Sequence, residues 1–305
     1  MGIIEAILLT VVTAATPLVL AAIGELVTER AGVLNLGVEG MMIMGAVLAF
    51  AATQATGSPY VGILAGIGGG ALFSLLFGFL TLTLVANQVA TGLALTILGL
   101  GISGQIGEAY VGMSGTKLPP IAIPGLSEIP YLGPLLFKQD LIFYISIALV
   151  FGVNWFLFRS RAGLKIRAIG DNHASAHALG IGVIRTRYLA VLFGGACAGL
   201  AGVYLSLVYT RFWSPGMTAG RGWIALALVV FAAWRPAYAL AGAYFFGAAT
   251  VLQLHAQAGQ IGLPSQLLSA VPYLATILAL VLLSVARGRA IGAPGSLGAP
   301  FVPDR

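Results

Sequence analysis

Few side chains in this 305-residue sequence can do chemistry, and their spacing decides what kind. His173 and His177 stand four apart, one turn of a helix, where two imidazoles can share a metal; no third ligand lies near, and a solvated helix face is the simpler reading. Glu39, in NLGVEGMM, and Arg221, in TAGRGW, each follow a glycine-containing stretch and open an apolar run. A charge there either lines a central path or caps a helix start at an interface. Asn35, Asn87, Gln88 and Thr91 sit near the ends of apolar runs, where amides and hydroxyls bond helix to helix or face a polar solute. GxxxxGK[ST] is absent, and the SGQ at 103–105 lies inside an apolar run without the double glycine of an ATPase signature. Cys197, the single cysteine, is a packing residue within GGACAGLAG. No nucleophile, metal or phosphate-loop constellation appears, so the chain reads as a non-enzyme with no cofactor of its own.

The elements that hold these residues are membrane spans. Hydrophobic residues make up 59% of the chain and charged ones only 8%, against roughly 25% charged in soluble domains. The pattern predicts an all-α polytopic membrane protein of about nine helices: 3–23, 36–53, 60–84, 89–106, 141–158, 188–208, 222–234, 237–254 and 267–286. The seventh covers only about 20 Å, short of a hydrocarbon core of roughly 30 Å, and reads as a half-helix. Between 108 and 139, five prolines and no helical period predict an ordered external loop on the mouth of the bundle. Residues 1–286 then form one transmembrane domain, and 287–305, rich in Gly and Pro, a disordered cytoplasmic tail. The N-terminus lacks a basic leader region, so the first helix is expected to stay.

Charge sets the orientation. The stretch 159–187 carries six of the fifteen Lys and Arg residues and is read as a cytoplasmic loop. With nine spans and the N-terminus outside, eleven cations fall inside and four outside. The net charge of +6 follows the loops and forms no nucleic-acid patch. Inside the central loop, Asp171 or Asn172 can cap a short alanine-rich helix that Gly180 ends in a left-handed conformation. That helix is either an ordinary solvated segment or a smooth face that docks on a cytoplasmic partner. The starts at Glu39 and Arg221, entering from opposite sides, suggest an inverted repeat of spans one to four by six to nine.

Several stretches together resemble one family: 29–46 (ERAGVLNLGVEGMMIMGA), 87–103 (NQVATGLALTILGLGIS), 163–181 (GLKIRAIGDNHASAHALGI), 216–236 (GMTAGRGWIALALVVFAAWRP) and 272–280 (PYLATILAL). They are similar to permease subunits of bacterial ABC importers in the branched-chain amino acid, ribose and nucleoside superfamily. The wording around NLGVEGMM looks most like the nucleoside branch, and the length like the shorter of two paired permeases. The resemblance implies a fold similar to type II ABC importers, in the inner membrane among lipid. It also implies a cytoplasmic ATPase that binds ATP and Mg, a second paralogous permease, and an external substrate-binding protein. It makes the central loop a coupling helix, with Arg167, Ala168, Gly170, Asn172, Ala176 and Gly180 at motif positions beside Asp171. A flat, neutral nucleoside would pass along amides, hydroxyls and an aromatic, for which Asn35, Asn87, Gln88, Thr91 and Trp223 are candidates. A sugar, nucleobase or branched-chain amino acid remains the alternative cargo. An ion-coupled transporter would need protonatable groups at mid-membrane, which Glu39 alone offers.

Overall fold

The computed structural model describes residues 2–130, 132–258 and 293–303, with scattered positions between 267 and 281. Among the described residues ten α-helices carry the fold: α1 (Ile3–Arg30), α2 (Val38–Thr56), α3 (Pro59–Gly78), α4 (Gln88–Gly107), α5 (Leu141–Arg159), α6 (Arg161–Asp171), α7 (His173–Ala178), α8 (Val183–Tyr204), α9 (Arg221–Phe231) and α10 (Pro236–Ala258). Seven of the described helices are long and apolar enough to cross a bilayer, and α9 is a shorter apolar one. The expected positions of the first eight spans correspond to these helices. The ninth, 267–286, falls outside the described residues apart from scattered positions.

The centre is built from α2, α8 and the second half of α1, whose side chains are largely enclosed, while α4, α5 and α10 keep an open face. Close approach depends on absent side chains. A Cβ on Gly199 of α8 would collide with the Gly66 carbonyl of α3, and one on Gly45 of α2 with the Gly199 backbone. Helices in lipid gain no hydrophobic drive for association, so such backbone-to-backbone packing carries the assembly. The run GGACAGLAG serves that purpose here, and Cys197 packs within it, 4% exposed. Both α3 and α8 finish in a π-helical turn, Phe79–Thr83 and Leu205–Tyr209.

The segment after α4 is ordered, as expected, yet it contains a small sheet that the all-α reading did not include. Strands β1 (Pro120–Ala122) and β2 (Lys138–Asp140) pair antiparallel with Pro120 opposite Asp140. Asp140 then caps α5, its side chain accepting from the Phe143 amide at 3.0 Å. The Gly115 amide donates to the Arg211 carbonyl and Leu118 is buried, which seats the segment on the bundle.

Gly199→Val should destabilise the purified chain by about 1–3 kcal/mol, because the facing backbone cannot yield to an added branch. Thermal unfolding in detergent would read this as a lowered midpoint; an unchanged midpoint would mean that α3 and α8 are not in contact.

Candidate functional site

Within the polar stretch 159–187, residues 161–178 fold as two short helices, α6 and α7, while Arg159 ends α5 and 183–187 already belong to α8. Ser160 caps α6, its hydroxyl accepting from the Gly163 amide at 2.9 Å. Asn172 leaves helical geometry at φ −153°, and its side chain accepts from the Ser175 amide at 2.9 Å, so it starts α7. Gly180, at φ 76°, ends that six-residue helix by the left-handed turn expected of it. Among the two cap candidates, Asn172 takes the role; Asp171 is the last residue of α6 and exposed.

The motif residues divide between two faces. Ala176 is not on an outward docking surface: it is 3% exposed and packs with Ile169 and Val183. Gly170 also faces inward, since a Cβ there would collide with the Arg30 carbonyl. Arg167 and Ala168 are half-buried, and the Arg167 guanidinium lies 5.2 Å from the Phe158 ring centre. The exposed residues of α7 are Ala174, Ser175, His177, Ala178 and, just past its end, Leu179, which is 80% exposed. A six-residue helix has too few positions for its inward face to be told from sequence.

The tail contradicts the expectation of disorder over 293–303; 287–292 lies outside the described residues. The Ser296 amide donates to the Gly170 carbonyl at 2.7 Å, and the Gly298 amide to the Gly32 carbonyl at 3.2 Å. The first amide of α7, that of His173, donates to the Ser296 hydroxyl at 3.1 Å. Phe301 sets its ring against both His173 and His177, with centroids 5.2 and 5.3 Å away. Beneath them Arg187, 1% exposed, donates to the carbonyls of Ala31 (3.1 Å) and Ala299 (3.2 Å) and meets His173 Nδ1 at 3.1 Å. Gly and Pro forbid a helix in this tail but not a turn whose amides find acceptors elsewhere. The two histidines thus flank an aromatic ring.

The second constellation surrounds α9. Glu39, in the first turn of α2, accepts from the Gly220 amide (2.8 Å) and the Gly222 amide (2.6 Å), the unpaired donors at the start of α9. Gly222 must lack a side chain, because a Cβ would lie 2.6 Å from the Glu39 backbone. Just before it, Ala219 takes a left-handed φ of 48°. Past the other end of α9, Ala233 and Trp234 are both left-handed, at 49° and 54°. That costly pair is fastened: the indole of Trp234 donates to the Glu29 carboxylate, and its carbonyl accepts from Arg30 Nε and Nη2 at 3.2 and 3.1 Å. Glu39 at the start and Arg30 past the end match the dipole of α9, while Arg221 in its first turn and Glu29 beside Arg30 oppose it.

The proposed pathway residues do not form one lining. Asn35 is buried, with its side chain accepting from the Gly37 amide and its own amide donating to Glu25. Gln88 is buried and accepts from the Leu34 amide, leaving its Nε2 without a partner. Asn87 is exposed and caps α4, accepting from Ala90. Thr91 is half-buried on that first turn. Arg221 donates to the carbonyls of Met217 and Thr218 and lies 5.2 Å from the Tyr209 ring centre, so it does not serve as the mirror of Glu39. Trp223 is 46% exposed.

Residues that sequence reasoning passed over are Glu25, Glu29, Arg187 and Trp234. The first helix continues through Arg30, which puts two carboxylates one turn apart on a buried face, each 1% exposed. The i, i+4 spacing of Glu25 and Glu29 was the available signal.

The whole chain can now be set beside known proteins. Residues 7–286 match the family described as branched-chain amino acid transport system / permease component. The chain belongs to that family. It is similar to a provisionally named glucose ABC transporter permease protein, TsgC13, of Haloferax volcanii, with 43% identity over 87% of this chain and 88% of that protein. It is 37% identical to the guanosine ABC transporter permease protein NupQ of Bacillus subtilis, over 94% of this chain and 93% of the relative. The nucleoside ABC transporter permease protein NupC of Lactococcus lactis is 31% identical, with the same shares covered. This family member is therefore a multi-pass membrane permease, a translocation subunit, and its family works with ATPase and substrate-binding partners.

Glu39→Ala leaves two α9 amides without acceptors, each a cost of about 1–3 kcal/mol if still buried. Hydrogen exchange at Gly220 and Gly222 should accelerate in Glu39→Ala and less so in Glu39→Gln, which keeps one acceptor oxygen. Unchanged exchange would sever Glu39 from α9. Burial and then the Arg187 charge push the His173 pKa down. The folded chain therefore favours neutral His173, and the contact it contributes to is complete above about pH 6.5 and weakens as pH falls below it. Exchange at Ser296, corrected for intrinsic rate, should rise on acidification, and His173→Asn should flatten that rise.

Proposed function

We propose that this permease is the membrane path of an ATP-driven importer of nucleosides. The observation that carries the cargo assignment is the similarity to the guanosine and nucleoside permeases, which runs over 94% of this chain. The wording NLGVEGMM agrees with it. A second reading, import of a sugar, is favoured by the 43% identity to the protein named for glucose. In either case a binding protein delivers the solute from outside, and a partner ATPase binds ATP and Mg; the permease itself holds no cofactor. A second, paralogous permease completes the path.

In this reading the protein lies in the inner membrane with its N-terminus outside and 159–187 and the C-terminus inside, as the cation distribution favours. Nine spans arranged as an inverted repeat are supported by the meeting of the first turn of α2 with the start of α9, where Glu39 accepts from the Gly220 and Gly222 amides. Of the pathway candidates, Asn87, Thr91, Arg221 and Trp223 retain free surface; an indole on the first turn of α9 can stack on a flat base.

The outward face of α7, ending in Leu179, is the part that seats in the ATPase. Arg167, Ala168, Gly170, Asp171, Asn172, Ala176 and Gly180 shape and hold that helix. Its motion reaches α9 through a short physical chain. Gly170 and Arg187 touch the α1–α2 turn at Arg30 and Ala31, and Glu29 and Arg30 hold Trp234. ATP-driven closure of the partner shifts α7 and, through that turn, biases α9 between two positions.

Leu179→Glu should abolish ATP-linked uptake while leaving insertion and yield intact, whereas Ala176→Glu should lower yield, because it buries a charge inside the permease. Full uptake by Leu179→Glu would sink the docking assignment. Trp234→Phe removes the indole donor and should cut uptake about tenfold at undiminished ATP hydrolysis, within the 5–150-fold range of ordinary couplings. Labelled uridine and adenosine, with glucose, ribose and leucine alongside, decide the cargo in cells with and without the gene, before and after ATP depletion. Loss of glucose uptake alone would replace the nucleoside reading, and uptake that follows an ion gradient would overturn the ATP-driven mechanism.

A further inference from the structure

Between α5, α6 and the first half of α8 lies a cleft of about 480 Å³. Its walls are Ala148, Gly152, Phe156, Leu189, Ala190 and Phe193, and its polar side chains, Lys165 and Thr186, come from α6 and α8. A second cavity of about 450 Å³ shares Lys165, Thr186 and Leu189 with it and adds Arg185 and the backbone of 180–182. Among the described residues no carboxylate lines either one. The two together join an apolar trough to a mouth with two cations, both exposed.

We infer that this cleft binds one anionic membrane phospholipid, with an acyl chain in the trough and the phosphate between Lys165 and Arg185. A nucleoside or sugar would leave its hydroxyls unpaired against these walls, which removes the transported solute as occupant. A zwitterionic lipid would fill the trough but bring no net charge to the mouth. The long stem of Lys165 can lie along apolar surface while its ammonium reaches the headgroup level, the usual compromise for lysine at an interface. Basic pockets between helices on the cytoplasmic side meet the leaflet that carries the anionic lipids; this step rests on the orientation proposed above. The mouth includes Leu179 and Gly180, so the lipid would border the end of α7 and buttress α6 from its membrane side.

The test uses the full-length chain in mild detergent, read by native mass spectrometry with phosphatidylglycerol or phosphatidylcholine of identical acyl chains. One phosphatidylglycerol should be retained per chain, and phosphatidylcholine about tenfold more weakly. Replacing both cations, Lys165→Ala with Arg185→Ala, should erase that preference, and Lys165→Arg with Arg185→Lys should keep it. Gly152→Leu, at a position where nothing lies within 4 Å of an added Cβ, should fill the trough and release both lipids. Equal retention of the two lipids, or retention indifferent to these variants, overturns the inference. So does displacement of the lipid by glycerol phosphate alone, which marks a headgroup site without a chain. A Gly152→Cys disulfide between two copies would also overturn it, by placing protein in the cleft. Because lipid retention is read without ATPase or solute, a failed uptake assay leaves this inference standing, and nucleoside uptake without lipid preference sinks it alone.

Discussion

The structure depends on one buried carboxylate that completes a helix not its own. An eleven-residue helix covers about 16 Å, so α9 cannot bring both of its ends to water across a hydrocarbon core of roughly 30 Å. Its terminal amides and carbonyls must be satisfied by protein. Glu39 does so at the start through Gly220 and Gly222, and Arg30 with Glu29 does so past the end through Trp234. Both grips come from where α1 ends and α2 begins. The short helix is thus suspended from eleven residues of another part of the chain, 29–39, and follows wherever they go.

That connection is held in turn from the opposite side. Arg187, fully enclosed, places its guanidinium among Ala31, His173 and Ala299, three segments that share no sequence neighbourhood. A buried guanidinium with donors facing carbonyls on several sides is costly to form from partial contacts and stable once complete. The polar end of the bundle therefore behaves as one body composed of the α1–α2 turn, α6, α7 and the tail turn at 294–301. Packing of Phe301 against the two histidines closes its outer surface.

Much of this was legible in the residues. The positions of the first eight spans followed from apolar length, the close approach of α8 from GGACAGLAG, and the α7 boundaries from Asn172 and Gly180, because each depends on local chemistry. What escaped depended on partners distant in sequence. The sequence pattern ends the first span at 23 because GELVTER looks polar, yet Glu25 and Glu29 are polar for the sake of Asn35 and Trp234. The tail reads as disordered because nothing within it can order it; its acceptors belong to Gly32 and Gly170 and its cation to α8. Ala176 is small because Ile169 and Val183 press on it, a cause indistinguishable in sequence from a smooth outer face. Asn35, Asn87 and Gln88 look available for a solute until the backbone amides they satisfy are in view.

The tail turn has a consequence for how the molecule is made. Residues 296–301 leave the ribosome after every helix described here, and the bonds of Arg187 to Ala299 and of Ser296 to Gly170 and His173 cannot form earlier. The bundle can insert helix by helix while its polar end still lacks its last strut. Synthesis order thus makes α7 the final part to be finished, so that a nascent or prematurely ended chain sits in the membrane with its outward helix unfastened.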